Sequence, residues 1–582
     1  MENLKIMKTN SQHISTSHSV PFSFSPHPLL FSFSPFLSFS SSPLLIFSIS
    51  LILLFSSSSR AQEVYHHTSN PAIYEFLDEF ANLGVIELNT TVKPYSRVFI
   101  ANKLKNIQES DYTLNKRQQA ELNFYLKDFN KELRADYDRK DKNYDKRLDL
   151  LFYKDSLFTF SVNPILGVEY FMTDSASFYH RWNGAEAFAY VGSHWGFYAS
   201  LRDNHESEIL TREDYLTQRM GANYKYNDGG GDFSEMRGGL TYSWDWGSFG
   251  AVKDHFEWGN HYNGANIFSG RTPSFAHIKL NLKPVDWFEF NWVHGWLVSE
   301  VIDSAGSYTY TNAYGTDQRN QMFDKYLAAN LFTFKPFKNF YISAGNSIIY
   351  SSDGPQLQYL IPVMFYKSVD HTYNATDKSG RNVGQNSQMF FDVSSRNIKK
   401  VHLSATLFID ELSTSRFFND SVWNFWSIKG SMRIADLIPN TFITAEYTKS
   451  MPLTYKHNIP TTTFESNGYN LGHYLMDNSH EIFVSALVKP FRTLSLKLSY
   501  LHAQKGKDYD DLGGSRLGNP FMDSVEWENK TIAFKASYQI INDGYIFLNY
   551  VNSNISGDLN KYTAPMFHGK QNTISLGANF GF

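Results

Sequence analysis

The chain has 582 residues, a formal charge of −4, 16% aromatic residues, a mean hydropathy of −0.38 and no cysteine. Without cysteine it has no disulfides, no thiolate nucleophile and no cysteine metal site. A near-neutral charge, with no basic block carrying interleaved aromatics, argues against nucleic acid as a partner.

The first 61 residues read as a leader. Its apolar run "PLLIFSISLILLF" (Pro43 to Phe55) is short for a membrane span. Ser59 and Ala61 behind it give the small-residue spacing that signal peptidase accepts, so cleavage is expected after Ala61. Lys5 and Lys8 lie far from the apolar run, and the competing reading is a signal anchor kept in the inner membrane. Both readings imply export. Beyond the leader no run of about 20 apolar residues occurs, which excludes helical spans there.

Residues 62–148 are expected to form a small helical domain and a charged linker. Asn70 is a predicted N-cap with Pro71 at the first helical position; Ile73, Phe76, Leu77 and Phe80 share a face, and Gly84 is the stop. A second helix restarts at Ser96 with Ile100, Ala101, Leu104 and Ile107 on one side. A third, capped near Thr113, carries Leu122, Tyr125, Leu126, Phe129 and Leu133 at helical spacing. So small a bundle needs a larger body to dock on. The run "RADYDRKDKNYDKR" reads as a solvated linker. His66-His67 offers adventitious metal binding, but no third ligand has usable sequence spacing, so neither a metal site nor a cofactor is expected.

From Leu157 the period changes to two. "LFTFSVNPILGVEYF", "WGFYASLRD", "FEFNWVHGWLV", "FYISAGNSIIY", "HLSATLFID", "EIFVSALV", "LSLKLSYLHA", "TIAFKASYQII", "YIFLNYV" and "TISLGANFGF" all read as strands. In "TIAFKASYQII", Ile532, Phe534, Ala536, Tyr538 and Ile540 face one way, and Lys535, Ser537 and Gln539 the other. Repeated strands of about ten alternating residues are the mark of an antiparallel transmembrane β-barrel, here over residues 149–582. Short connections include Asn542-Asp543-Gly544 and Lys-Pro corners at Lys283, Lys335 and Lys489, which suit strand ends and are read as periplasmic turns. Polar, aromatic segments at 305–319, 370–388, 454–478 and 505–526 are read as extracellular loops. A soluble β-sandwich or solenoid alternates in the same way; the leader, the aromatic loading and the final alternating strand through Phe582 favour the barrel. A barrel's last strand pairs with its first and leaves no loose edge.

A family resemblance extends from about Asn70 to Phe582. "AVKDHFEWGNHYNGANIFSGRTPSFAHIKLNLKPVDWFEFNWVHGWLVSE" resembles the core segment of Wzi-type capsule assembly proteins, with its Lys-Asp, Trp-Gly, Ser/Pro-rich turn and aromatic strand carrying His-Gly. "LFIDEL" at Leu407 to Leu412 is similar to the family's Asp-Glu strand, and "YTKSMPLTYKHNIPTTTFESNGYNLGHYLMDNS" to its tyrosine-rich Leu-Gly loop. "YEFLDEFANLGVIELNTTVKPYSRVFIANKL" is similar to its N-terminal helical domain. The resemblance implies an outer-membrane barrel of about 18 strands in a diderm bacterium, with the helices at its periplasmic mouth. It implies a non-catalytic role in holding capsular polysaccharide at the cell surface. The implied partners are surface polysaccharide, outer-membrane lipid and the barrel assembly machinery. Some similar chains, the RemB group, are named for gliding motility, which adds motility or secretion proteins as partners. The segments 370–388 and 505–526 match nothing in the family pattern.

Polysaccharide recognition calls for aromatic faces, bidentate polar groups and, for an acidic glycan, arginine. One candidate patch is Trp258, Asn260, His261, Tyr262, Asn263 and Arg271; a second is Lys449, Tyr455, His457, Tyr469 and His473. The competing reading makes the aromatics girdle residues and the polar groups a lumen network. Lys253, Asp254, Asp410 and Glu411 are expected as lumen ion pairs. Catalysis is not expected: adjacent Asp410 and Glu411 point to opposite strand faces, and no G-x-S-x-G motif marks a nucleophile. Three functions remain: a lectin-like polysaccharide anchor, a motility or adhesion component, and a passive porin.

Overall fold

The computed structural model describes residues 62–133, 149–227, 230–373, 384–416, 424–509 and 519–581. The leader, the charged run 134–148 and Phe582 lie outside the described residues.

Eighteen antiparallel strands close into a barrel. It begins with Phe158–Met172 and ends with Gly569–Phe580, and these two pair from Leu166↔Phe580 to Met172↔Ile574. The alternation that reads as a strand in sequence becomes a lipid-facing belt. Leu166, Val168 and Tyr170 are 43–54% exposed on the first strand, and Ile574 and Leu576 are 40% and 55% exposed on the last. Between them, Ile532, Phe534, Tyr538 and Ile540 point outward while Gln539 is buried on the lumen side. An apolar outer band over a polar interior is what a bilayer selects.

Connections at one end are tight. Each Lys-Pro corner falls at a strand end and breaks the register, between Leu282 and Val285, Phe334 and Phe337, and Val488 and Phe491. Proline cannot donate to the ladder, so a bulge forms there. The Asn542-Asp543 turn closes the Ile541↔Gly544 hairpin with Asp543 at φ 54°.

The helices form as the sequence dictates. α1 (Pro71–Asn82) ends on Gly84 at φ 76°, where Val85 N donates to Phe80 O at 2.9 Å and Gly84 N to Ala81 O at 3.0 Å, satisfying two terminal carbonyls. α2 (Arg97–Gln108) is capped by Ser96 Oγ, which accepts from Phe99 N. α3 (Lys116–Asp128) is capped by Asn115 with a reciprocal Gln118 bond, two residues beyond the expected Thr113. Ile73, Phe76, Leu77, Phe80, Ile100, Leu104, Leu122, Tyr125 and Phe129 fill one shared core.

Two expected loops take other forms. Residues 305–319, read as a polar, aromatic loop, lie within a projecting hairpin, Ile302–Asn312 with Gly315–Met322. Residues 454–478 turn inward, burying Tyr455, Phe464, Tyr469, Leu471, Tyr474 and Leu475. Strands such as Ser177–Val191 and Thr441–Ser450 carry no clear alternation in sequence, because polar residues occupy parts of both faces.

Candidate functional site in a filled lumen

The helices sit against the short-turn end of the barrel, held by buried charge. Arg396, just past the strand Asn386–Ser395, donates to Asp78 Oδ1 on α1 at 2.9 Å, to Asn82 Oδ1 at 2.8 Å and to Leu88 O at 3.1 Å. Arg433 approaches the other Asp78 oxygen to 3.5 Å, and Tyr262 OH donates to both oxygens. Burial pushes the Asp78 carboxyl up, but the two guanidiniums outweigh it and hold the group at about 2. The corner lysines add two clasps: Lys335 reaches Glu87 at 2.7 Å and Lys489 reaches Glu121 at 3.0 Å. The third corner lysine, Lys283, makes no such pair among the described residues and stands beside Lys103 of α2 at a cavity of about 540 Å³ under the wall.

Above this latch the lumen is packed. Residues 92–93 pair antiparallel with 257–258, and Trp258 bridges on to Phe268, so a three-strand strip crosses the interior. Phe256, Trp258, Ile267, Phe268, Leu327, Phe390, Phe408, Tyr455, Phe464 and Leu471 form one apolar core inside the barrel.

This packing decides what the expected glycan residues do. Trp258 is 1% exposed, its ring edge-on to Phe268 at 5.3 Å. Asn260 binds Asp392 through its backbone at 2.9 Å and Thr91 through its side chain at 3.1 Å. His261 lies 3.3 Å from Glu257, Tyr262 bonds Glu446 and Asp78, and Asn263 donates to Glu481 at 2.9 Å. In the second patch, Tyr455 OH donates to Asn266 O at 2.8 Å, Tyr469 OH to Ala222 O at 3.1 Å, and His457 Nδ1 meets Thr462 Oγ1 at 2.7 Å. His473 is fully buried, and Lys449 rests on the Phe521 ring at 4.1 Å. Trp258, Asn260, Arg271, Tyr455, Tyr469 and His473 are thus buried within the plug, the placement that the competing lumen-network reading describes. Arg271 donates to Thr217 O at 2.9 Å, has no carboxylate partner among the described residues, and burial pushes it down to about 10.

The expected ion pairs also rearrange. Asp254 turns to Arg237 at 3.5 Å and accepts from Tyr198, while Lys253 points outward and donates to Met236 O. Glu411 pairs with Arg416 at 2.6 Å, and Asp410 instead accepts from Tyr455 N at 2.7 Å.

What sequence reasoning missed is the exposed hairpin. Tyr308 and Tyr310 alternate with Thr309 and Thr311, so both rings share one face, 6.4 Å apart and 54% and 40% exposed. Arg319 lies opposite Tyr308, and Tyr314 at the tip is fully exposed. The signal was present in "SYTYTNAYGT", a period of two running into a turn with Gly315 at φ 128°.

No family model matches the chain, and no curated protein matches it in sequence. Among solved structures, Wzi of Escherichia coli, described as an outer-membrane carbohydrate-binding β-barrel involved in group 1 capsule assembly, aligns at a TM-score of 0.54 and 12% identity, over 90% of this chain and all of that one. The Pseudomonas aeruginosa barrel OccD3 aligns at 0.38 and 12% identity, covering 72% of this chain and 90% of its own. The Acinetobacter baumannii barrel OccAB2 aligns at 0.40 and 8%, covering 72% and 97%. The chain thus has the fold of a Wzi-type outer-membrane β-barrel, eighteen antiparallel strands closed around their own filling, as the sequence resemblance implied.

Proposed function

We propose that the protein anchors or assembles surface polysaccharide at the outer membrane, as a non-catalytic, lectin-like barrel. The observation that carries this reading is the filled lumen. An apolar core of strand and loop residues fills the interior around Trp258, which supports surface presentation over solute passage as the work of the barrel. The paired tyrosines of the projecting hairpin supply what a sugar C–H face stacks on, with Arg319 beside them for a carboxylate or hydroxyl pair. Wzi, with the same fold, is a carbohydrate-binding protein of capsule assembly, which supports the same reading here.

The test compares polysaccharide retained on cells with polysaccharide shed into cell-free medium, with and without the gene. Loss to the medium at constant total amount supports anchoring. An unchanged partition sinks it; a spreading defect alongside would turn attention to motility or adhesion through protein partners. Tyr308→Ala with Tyr310→Ala, in a normally folded barrel, reproduces part of the deletion if the hairpin carries the contact.

A further inference from the structure

The sequence offers His66-His67 without a third ligand, but the fold supplies what spacing does not. The tail ahead of α1 lies along the barrel wall: Gln62 donates to Gly192 O, the Thr241 hydroxyl donates to Glu63 O, and Arg97 N donates to Val64 O. This path brings His67 to the end of the strand Gly247–Asp254. There His67 Nε2 stands 3.1 Å from His255 Nδ1, and His255 Nδ1 stands 3.9 Å from Asp254 Oδ1. All three donor atoms fall within 4.8 Å of one another, and the residues are 3–5% exposed.

We propose that His67, His255 and Asp254 form a site for a divalent transition metal of the Zn2+ type, which staples the N-terminal tail to the barrel wall. Ligand atoms about 2.0–2.1 Å from a tetrahedral ion lie roughly 3.4 Å from each other. The triangle here brackets that value, so shifts of about an ångström complete it. Two imidazoles and one carboxylate suit Zn2+, Cu2+ or Ni2+ and not the hard cations Ca2+ and Mg2+.

The surroundings suit the same assignment. A His255 bound through Nδ1 carries its proton on Nε2, and that atom faces Glu235 Oε1 at 3.9 Å; both atoms are buried without a hydrogen bond. A carboxylate behind a ligating imidazole fixes the tautomer and raises its basicity. On the other side, Ser69 Oγ lies 2.9 Å from His67 Nδ1 and Ser69 N–H donates to that nitrogen at 3.1 Å; metal at Nε2 puts the proton on Nδ1, so the amide bond must open as Ser69 Oγ accepts it. The opposing charge is Arg237, 3.5 Å from Asp254 Oδ1, which competes for that oxygen and weakens the site.

The experiment uses the full chain, purified in detergent, stripped with chelator, loaded with ZnCl2, desalted and assayed for metal. Variants count only when the barrel keeps its heat-modifiable migration on gels. About one zinc per chain is expected for the parent. His67→Gln and His255→Gln each weaken binding by about tenfold or more, and Arg237→Gln tightens it. Should His255→Gln fail to fold, His67→Gln, in the tail and outside the sheet, carries the test. Co2+ gives a second readout, its visible ligand-field bands appearing in the parent and vanishing in His67→Gln. A parent that retains no zinc, or a folded His67→Gln that retains as much, overturns the proposal. A His66→Gln variant that abolishes binding overturns it too, because His66 packs against Tyr74 and Phe129 and ligates nothing in this assignment.

Discussion

Replacing Arg396 by methionine tests whether buried charge latches the helices onto the barrel. The guanidinium bonds Asp78, Asn82 and Leu88 across the interface, at 2.8–3.1 Å, from a residue 3% exposed. Methionine keeps the stem and removes the three donors, leaving Asp78 with Arg433 at 3.5 Å and the Leu88 carbonyl without this donor. Breaking one partner out of a buried pair costs about 3–5 kcal/mol. At about 1.4 kcal/mol per decade, the undocked fraction of α1–α3 rises by roughly two to three and a half orders of magnitude. Trypsin under gentle conditions reads this, since cleavage then follows the open population; Lys103, Lys105 and Lys127 are target sites on the helices. Faster cleavage within 97–128, with the barrel itself still folded, is expected. Cleavage within about threefold of the parent would refute the latch, because that corresponds to under about 1 kcal/mol. Adding Asp78→Asn to the variant removes the stranded carboxylate and should recover part of the protection.

Four further outcomes follow from the same geometry. The folded Asp78 carboxyl lies at about 2, below its unfolded value of about 3.9, so its roughly 2–3 kcal/mol of stabilisation is fully present above about pH 5 and is lost as pH falls through about 2; helix protection measured across that window should decline in step, and a flat profile would contradict it. Asp508, bridging Lys505, Lys456 and Lys561 at 2.6–3.2 Å, is likewise held below the usual carboxylate range, despite burial, so the loop contacts it ties should loosen in the same direction under acid. Arg271→Met, which removes a buried cation with no carboxylate partner, should leave the urea midpoint unchanged or raise it, by up to about 4 kcal/mol in stability; a clear drop would show that the charge is compensated. Planar bilayers should show no stepwise conductance for the full barrel, and deleting 62–133 should not create one, because every buried residue of the lumen core lies at Phe256 or beyond.

The fold was legible where physics writes a repeating signal. Phe340–Tyr350 matches the sequence reading residue for residue, and Ser96 and Gly84 bound their helices as their chemistry requires. Thr113 was displaced as a cap by Asn115, since an amide two residues on makes the reciprocal bond with Gln118. Eight barrel strands escaped, and Ser177–Val191 shows why: Arg181 and Asn183 stand on the outer face while Phe178 and Phe188 are buried within, so hydrophobicity ceases to track the pleat. His67, Asp254 and His255 show a different limit. Ligand spacing in sequence is informative only when one element carries the ligands, and here 188 residues separate the two histidines.

The candidate residues carry two readings in sequence for a reason particular to this architecture. A soluble protein hides its apolar groups, so an exposed-looking mixture such as "GNHYNG" reads as a binding surface. A barrel reverses the assignment: lipid takes the apolar face, and polar and aromatic residues together fill the interior. Asn260, Tyr262 and Asn263 then satisfy Asp392, Glu446 and Glu481 on the inner wall, which is what strands bearing buried carboxylates need. The chemistry that recognises a sugar hydroxyl is the chemistry that satisfies a buried acid, and composition alone does not separate them. Exposure does. On the proposed anchoring role a glycan would meet the exposed Tyr308 and Tyr310, with Arg319 opposite, before the buried Trp258, so substitutions at the hairpin should alter polysaccharide retention while leaving thermal stability unchanged, and Trp258→Ala should do the reverse. Equal effects on both measurements from both sites would mean that the hairpin and the plug are not separable in this way.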